Sequence, residues 1–255
     1  MPRHPETGIY FEAHGQGEGI FFGPPLLATT AAGEPEIRDL KQALLDELAS
    51  RYRLVFFDYP YGRGRSHSSA EPGIRVEQAV QDLIAIADAA GLDRFIWYGY
   101  SWGAVLGYQL AVRTNRLAAL IAGGFPPIDG PYAVMRETCR RLAAHAPPGH
   151  TAEFMAQYWR FYESLRDFSD HDCLSKINIP RLCYAGTRDV VEYGGGGEAR
   201  IGEILQANRD RLAISGWQVV LIPEADHSTA IHAEAVIPIV RSFLAGLSNS
   251  ENHAG

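Results

Sequence analysis

Short apolar runs alternate along this chain with stretches whose apolar positions recur at helical spacing. That alternation predicts a mostly parallel, twisted sheet with helices on both faces. Residues 9–13 and 20–22 read as strands, and the turn His14-Gly15-Gln16-Gly17 between them predicts a hairpin. After Pro35, the residues Ile37, Leu40, Leu44 and Leu48 form one helical stripe able to lie on a sheet. Residues 52–59 (YRLVFFDY) predict a buried strand, and Val76, Ala79, Val80, Leu83, Ala87 and Ala90 a second stripe ending at Gly91. Residues 94–100 (RFIWYGY) predict the next strand, followed by a sharp turn at Ser101, a helix over 104–113 and a strand over 117–122.

Between residues 126 and 177 the alternation breaks. Pro126, Pro127, Pro131, Pro147 and Pro148 surround two helix-like pieces, one of which carries Phe154, Tyr158, Trp159, Tyr162 and Leu165. This stretch is predicted to be a small helical cap inserted into an α/β core made of residues 1–125 and 178–255. Strand-helix order resumes with a strand at 181–185, a helix near 198–212, a strand at 217–222 and a final helix around 233–247. Pro238 predicts a kink in that last helix, or a late start. No repeat of fixed period is visible.

Composition narrows the function classes. The 255 residues suffice for one large domain with a modest insertion, and 46% hydrophobic with 21% charged residues is ordinary for a globular chain. With 23 basic against 30 acidic side chains the net charge is −7, and no Lys/Arg-rich run stands out, so no nucleic-acid partner is expected. No stretch approaches the roughly 18 apolar residues that span a bilayer, and residues 1–18 lack the charged and apolar regions of a secretory leader. No membrane partner is expected, and the cytoplasm is the expected location. Cys139, Cys173 and Cys183, odd in number and irregular in spacing, suggest reduced thiols rather than a disulfide framework or a metal site.

The candidate chemistry begins at Gly99-Tyr100-Ser101-Trp102-Gly103, between a predicted strand and a predicted helix. In that context G-x-S-x-G makes a strained turn that lifts the serine hydroxyl above the sheet, and the helix N-terminus favours developing negative charge. The bland alternative is a serine that caps the helix. A serine nucleophile needs a general base, and the base needs a group that orients it. Asp189 follows a predicted strand in Gly186-Thr187-Arg188-Asp189, and His227 follows another in Pro223-Glu224-Ala225-Asp226-His227. Both turns fall at strand C-termini, where open α/β sheets gather functional groups. Asp226 and Glu224 are alternative acids, with Glu192 and Asp172 as distant reserves.

These motifs, with Asp58-Tyr59-Pro60-Tyr61-Gly62-Arg63-Gly64-Arg65-Ser66, resemble those of the α/β-hydrolase superfamily over roughly residues 9–247. The 58–66 loop is similar to the family's Asp-x-Pro-Gly-x-Gly-x-Ser, shifted by about one inserted residue. The resemblance implies an α/β-hydrolase fold, a Ser101–His227–Asp189 triad, and a cap at 126–177 roofing the substrate pocket. The chain departs from the family at the oxyanion segment: where His-Gly-x is usual it has Phe22-Gly23-Pro24-Pro25-Leu26, and Pro24 has no N–H to donate. Trp102 N–H is the expected first donor, and Leu26 N–H or the Tyr61 hydroxyl the second. His14-Gly15 imitates the missing motif one strand too early.

Tyr100 and the stripe Phe154, Tyr158, Trp159 and Tyr162 are candidate substrate contacts, with packing the equal alternative for the stripe. Asp170-His171-Asp172 and His232 lack the partners of a metal site and read as solvated residues. Gly194 to Gly197 fits no phosphate-binding pattern and reads as a loop. No cofactor and no metal are expected; the partner is a small-molecule substrate, and oligomeric state is not readable. The functions that follow are hydrolysis of a small, largely apolar ester or related acyl compound, a proline-iminopeptidase-like amide hydrolysis, or a ligand-binding receptor or regulator with little turnover. C–C bond cleavage and cofactor-free perhydrolysis use the same triad, whereas carbon–halogen hydrolysis in this fold would need aspartate at position 101.

Overall fold

A computed structural model describes residues 3–26, 28, 35–67, 73–192 and 197–251. Its strands are β1 (Phe11–His14), β2 (Glu18–Gly23), β3 (Tyr52–Phe57), β4 (Phe95–Tyr100), β5 (Leu117–Gly123), β6 (Arg181–Gly186), β7 (Val191–Glu192), β8 (Glu198–Ala199) and β9 (Trp217–Ile222). Its helices are α1 (Pro35–Leu48), α2 (Val76–Ala89), α3 (Trp102–Arg113), α4 (Tyr132–Ala144), α5 (Ala152–Ser164), α6 (Asp170–Lys176), α7 (Ile201–Ala207), α8 (Arg209–Ile214) and α9 (Ala233–Glu251).

Because successive strand residues point to opposite faces, the continuous apolar runs of β2, β3 and β4 feed two cores at once. Phe21, Val55, Phe57, Phe95 and Trp97 meet α2, α3 and the apolar residues of α5 on one face. Ile20, Phe22, Leu54, Phe56, Ile96 and Tyr98 meet α1 and α9 on the other. The main sheet has seven strands in the order β1-β3-β2-β4-β5-β6-β9. All neighbouring pairs are parallel except β1 with β3. This is the α/β-hydrolase architecture.

The predicted hairpin does not form. β3 lies between β1 and β2, antiparallel to the first and parallel to the second. Gly15 and Gly17 do turn the chain, at φ +77° and +104°, but the turn is wrapped against the start of β3. A Cβ at Gly15 would sit 2.4 Å from the Ala49 carbonyl oxygen, and one at Gly17 2.3 Å from that of Arg51. The turn is therefore filled by backbone, and the two strands stand one strand apart.

Three further expectations change. Segment 126–177 holds three helices, the third beginning at Asp170 in what reads as a solvated loop. The predicted 198–212 helix starts later, because Glu198–Ala199 pairs with Val191–Glu192, and it divides at Asn208 into α7 and α8. The last helix starts on time and passes through Pro238, which lies on its exposed face, while Val236, Val240, Phe243 and Leu244 bury the opposite face. No helix among the described residues is long and apolar enough to cross a membrane.

One topological feature positions the site. From β2 the chain crosses to β3 on one side and then returns to β4 on the other, so the C-terminal ends of β2 and β4 border a switch point. The turns following those strands carry the Gly23–Leu26 segment and Ser101.

Candidate active site

Ser101 stands between β4 and α3 at φ 54°, ψ −114°, a conformation an L-residue rarely holds. Such backbone costs on the order of 1–3 kcal/mol and persists only where neighbours enforce it. The neighbours are close: a Cβ at Gly99 would lie 2.1 Å from the Gly103 carbonyl oxygen, and one at Gly103 only 1.9 Å from that of Gly23. Ser101 N–H also donates to the Gly123 carbonyl on the adjacent strand, at 2.7 Å. The motif glycines thus let two strand ends and a helix start meet. The serine side chain makes no cap hydrogen bond to α3, which removes the bland reading of this residue.

Instead, Ser101 Oγ lies 3.0 Å from His227 Nε2, and His227 Nδ1 lies 2.7 Å from Asp189 Oδ1. An ionised carboxylate only accepts, so Nδ1 carries the proton and Nε2 is left to accept from the serine hydroxyl. Asp189 is 1% exposed, and its Oδ2 is buried without a hydrogen-bond partner among the described residues. The His227 ring lies 5.2 Å from that of Tyr100, whose hydroxyl donates to the His227 carbonyl at 2.6 Å. Three turns that follow β4, β6 and β9 are brought together at one rim of the sheet.

The other candidate acids are engaged elsewhere. Asp226 Oδ1 accepts from the N–H and hydroxyl groups of Ser228 and Thr229, closing the turn that follows His227. Those hydrogen bonds, that from the Thr229 backbone foremost, lower its carboxyl pKa to about 2. Glu224 forms an exposed ion pair with Arg188. Glu192 is exposed on β7, and Asp172 on α6. Asp170 is not solvated: its Oδ2 accepts from Gly130 N–H at 2.7 Å, while His171 pairs with Asp129 at 3.2 Å. Among the described residues, no three His, Cys, Asp or Glu side chains gather as metal ligands. Residues 194–196 of the glycine run lie outside the described residues.

The expected oxyanion and substrate residues divide. Trp102 opens α3, so its N–H has no acceptor within the helix. The Gly23–Pro24 backbone touches Gly103, and with Pro24 and Pro25 lacking N–H groups, Leu26 brings the first donor after Gly23. The Tyr61 hydroxyl instead donates to Asp82 Oδ2 at 2.7 Å, so its proton is committed away from Ser101. Tyr100 is buried beneath His227, holding that loop rather than lining an open surface. In the aromatic stripe Tyr158 and Tyr162 are buried and Phe154 and Trp159 half-buried. Tyr158 meets the Trp102 ring edge-on at 4.9 Å. Packing therefore accounts for Tyr158.

Sequence reasoning missed Asp82, a buried carboxylate on α2 that receives the hydroxyls of Tyr59 and Tyr61. The signal was available: Asp82 falls between Val80 and Leu83, three after Ala79 and four before Ile86, inside an apolar stripe where a charge needs partners.

Residues 14–239 match the model of the alpha/beta hydrolase family, and the chain belongs to that family. Relatives include a putative carbamate hydrolase RutD of Azorhizobium caulinodans, 28% identical over 145 residues (56% of this chain, 51% of that one). Haloalkane dehalogenase 2 of Mycobacterium bovis is 30% identical over 110 residues (42% of this chain, 37% of that one). These alignments span about half or less of the relatives' own length. Among solved structures, a thermophilic esterase from Thermogutta terrifontis superposes with a TM-score of 0.69 at 19% identity, over 94% of this chain and 93% of that one. The chain is thus a member of a hydrolase family with hydrolase relatives.

Proposed function

We propose that this chain is a serine hydrolase acting on a small, largely apolar ester or related acyl substrate. Ser101 is the nucleophile, His227 the general base and Asp189 the group that orients and charge-stabilises the imidazole. The observation that carries this reading is the continuous hydrogen-bonded line from Ser101 Oγ through both nitrogens of His227 to Asp189. As Oγ attacks the acyl carbon its proton passes to Nε2, and the imidazolium is stabilised by the buried Asp189 carboxylate. Negative charge developing on the carbonyl oxygen is met by the N–H groups of Trp102 and Leu26. The imidazolium then protonates the departing alcohol, and water, activated by the same nitrogen, releases the acid and restores Ser101. Helices α4 to α6 act as the cap over the substrate, and the protein works in the cytoplasm without a cofactor.

Carbamate is the second substrate class, favoured by the RutD relative. It presents the same carbonyl to the same attack, so only substrate comparison separates it from an ester. The dehalogenase likeness does not transfer, because serine occupies position 101.

Incubation with a fluorophosphonate and mass mapping should show stoichiometric phosphonylation at Ser101. Ser101→Ala should fold normally and lose about 10⁴-fold or more in kcat. An unlabelled Ser101 in the folded protein would favour a ligand-binding role over catalysis.

A further inference from the structure

Behind the nucleophile turn lies a buried carboxylate that the proposed chemistry leaves unused. Asp82 is 2% exposed; its Oδ2 accepts from the hydroxyls of Tyr59 at 3.0 Å and Tyr61 at 2.7 Å, and its Oδ1 from Gln78 Nε2 at 2.9 Å. Burial raises its carboxyl pKa, against the opposing pull of these three donors and of His4. Two lines of contact lead from this carboxylate toward Ser101. The Tyr59 ring stacks on that of Trp102, with centroids 5.9 Å apart and planes at 10°, and Trp102 is the residue that follows Ser101. The Tyr61 carbonyl accepts from Gln157 Nε2 on α5 at 2.8 Å. The same helix sets Tyr158 and Phe161 edge-on against Trp102, at 4.9 and 5.5 Å.

We infer that Asp82 is a positioning residue that sets substrate selectivity: through the hydroxyls of Tyr59 and Tyr61 it holds Trp102 and α5 at a fixed distance from Ser101. The inference rests on the reading of Ser101 as nucleophile. Without the carboxylate, the buried Tyr59 hydroxyl loses its acceptor and the half-buried Tyr61 ring loses its tie to α2, so the Tyr59–Tyr61 backbone, whose Tyr61 carbonyl anchors Gln157, is held less firmly. The triad is held by other means, through turns after β4, β6 and β9, so the change falls on the Trp102 ring and on α5, one of the helices proposed to cover the substrate, and spares the nucleophile.

The test uses the full chain and a series of n-alkyl fluorophosphonates from ethyl to octyl, with second-order labelling rates at Ser101 as the readout. The ethyl member reads the nucleophile; the octyl-to-ethyl ratio reads the room left for the alkyl chain beneath the proposed cover. Asp82→Ala should label with the ethyl probe within about threefold of wild type while its octyl-to-ethyl ratio shifts by about tenfold or more. Asp82→Asn should restore the ratio, because the amide oxygen accepts both tyrosine hydroxyls and a turned-over Gln78 accepts from the amide nitrogen. Tyr61→Phe, which removes a single donor, should shift the ratio in the same direction and serves if Asp82→Ala does not fold. An unchanged ratio in these variants overturns the inference, as does Asp82→Asn behaving like Asp82→Ala. Failure of wild type to label at Ser101 would instead overturn the nucleophile assignment and this inference with it.

Discussion

At the scale of single residues, Ser101 stores strain that its two glycine neighbours make sterically possible. Replacing it by alanine or by glycine removes the same hydrogen bond to His227, but only glycine relieves the positive φ. The relief is on the order of 1–3 kcal/mol, and glycine gives back about 0.4–1 kcal/mol through the greater freedom of its unfolded chain. Ser101→Gly should therefore melt above Ser101→Ala by a margin worth about 1 kcal/mol in thermal denaturation. The reverse order would mean that the elbow is not strained. The three side chains of the proposed triad were legible in sequence because each sits just past an apolar strand, where local pattern locates it. Asp82 escaped notice because its importance depends on Tyr59 and Tyr61, more than twenty residues earlier and in another part of the fold; Gln78, one turn before it on α2, supplies only the third hydrogen bond.

At the scale of elements, the histidine turn has its own local stabiliser. Asp226 reads in sequence as a rival acid for His227; in three dimensions it closes the 3-10 turn Thr229–Ile231, and Asp226 N–H in return donates to Thr229 Oγ1 at 2.9 Å. Its folded pKa of about 2 lies below the usual aspartate value of roughly 3.9, so its stabilisation is complete above pH ~4 and vanishes as pH falls through about 2. Asp226→Ala should lower stability by about 1 kcal/mol at pH 6, with the gap closing below pH 4. Melting curves of both proteins across that range would show it, and a pH-independent gap would contradict it. The hairpin failed as a prediction at this same scale. The glycine turn marks where the chain reverses, but which strand fills the space beside β1 is decided by distant pairing.

Across the whole molecule, the insertion is not a separate body with its own core. Met135, Cys139, Met155, Tyr158 and Phe161 of α4 and α5 belong to the same buried cluster as Phe57, Trp97 and Leu106. Calorimetry should therefore give one cooperative transition, and a distinct early transition lost on removing residues 126–177 would contradict that shared core. The sequence by itself determined the alternation of strands and helices, the strand ends that carry Ser101, Asp189 and His227, and the lack of N–H groups at Pro24 and Pro25 after β2. Each is written in local periodicity or in a single residue's covalent chemistry. Tertiary structure alone decided the order of strands in the sheet, the choice of Asp189 over its rivals as the histidine's partner, and the withdrawal of the Tyr61 proton to Asp82. Those outcomes turn on distances between groups far apart in the chain, and hydrogen bonding acts on distance in space rather than along the sequence.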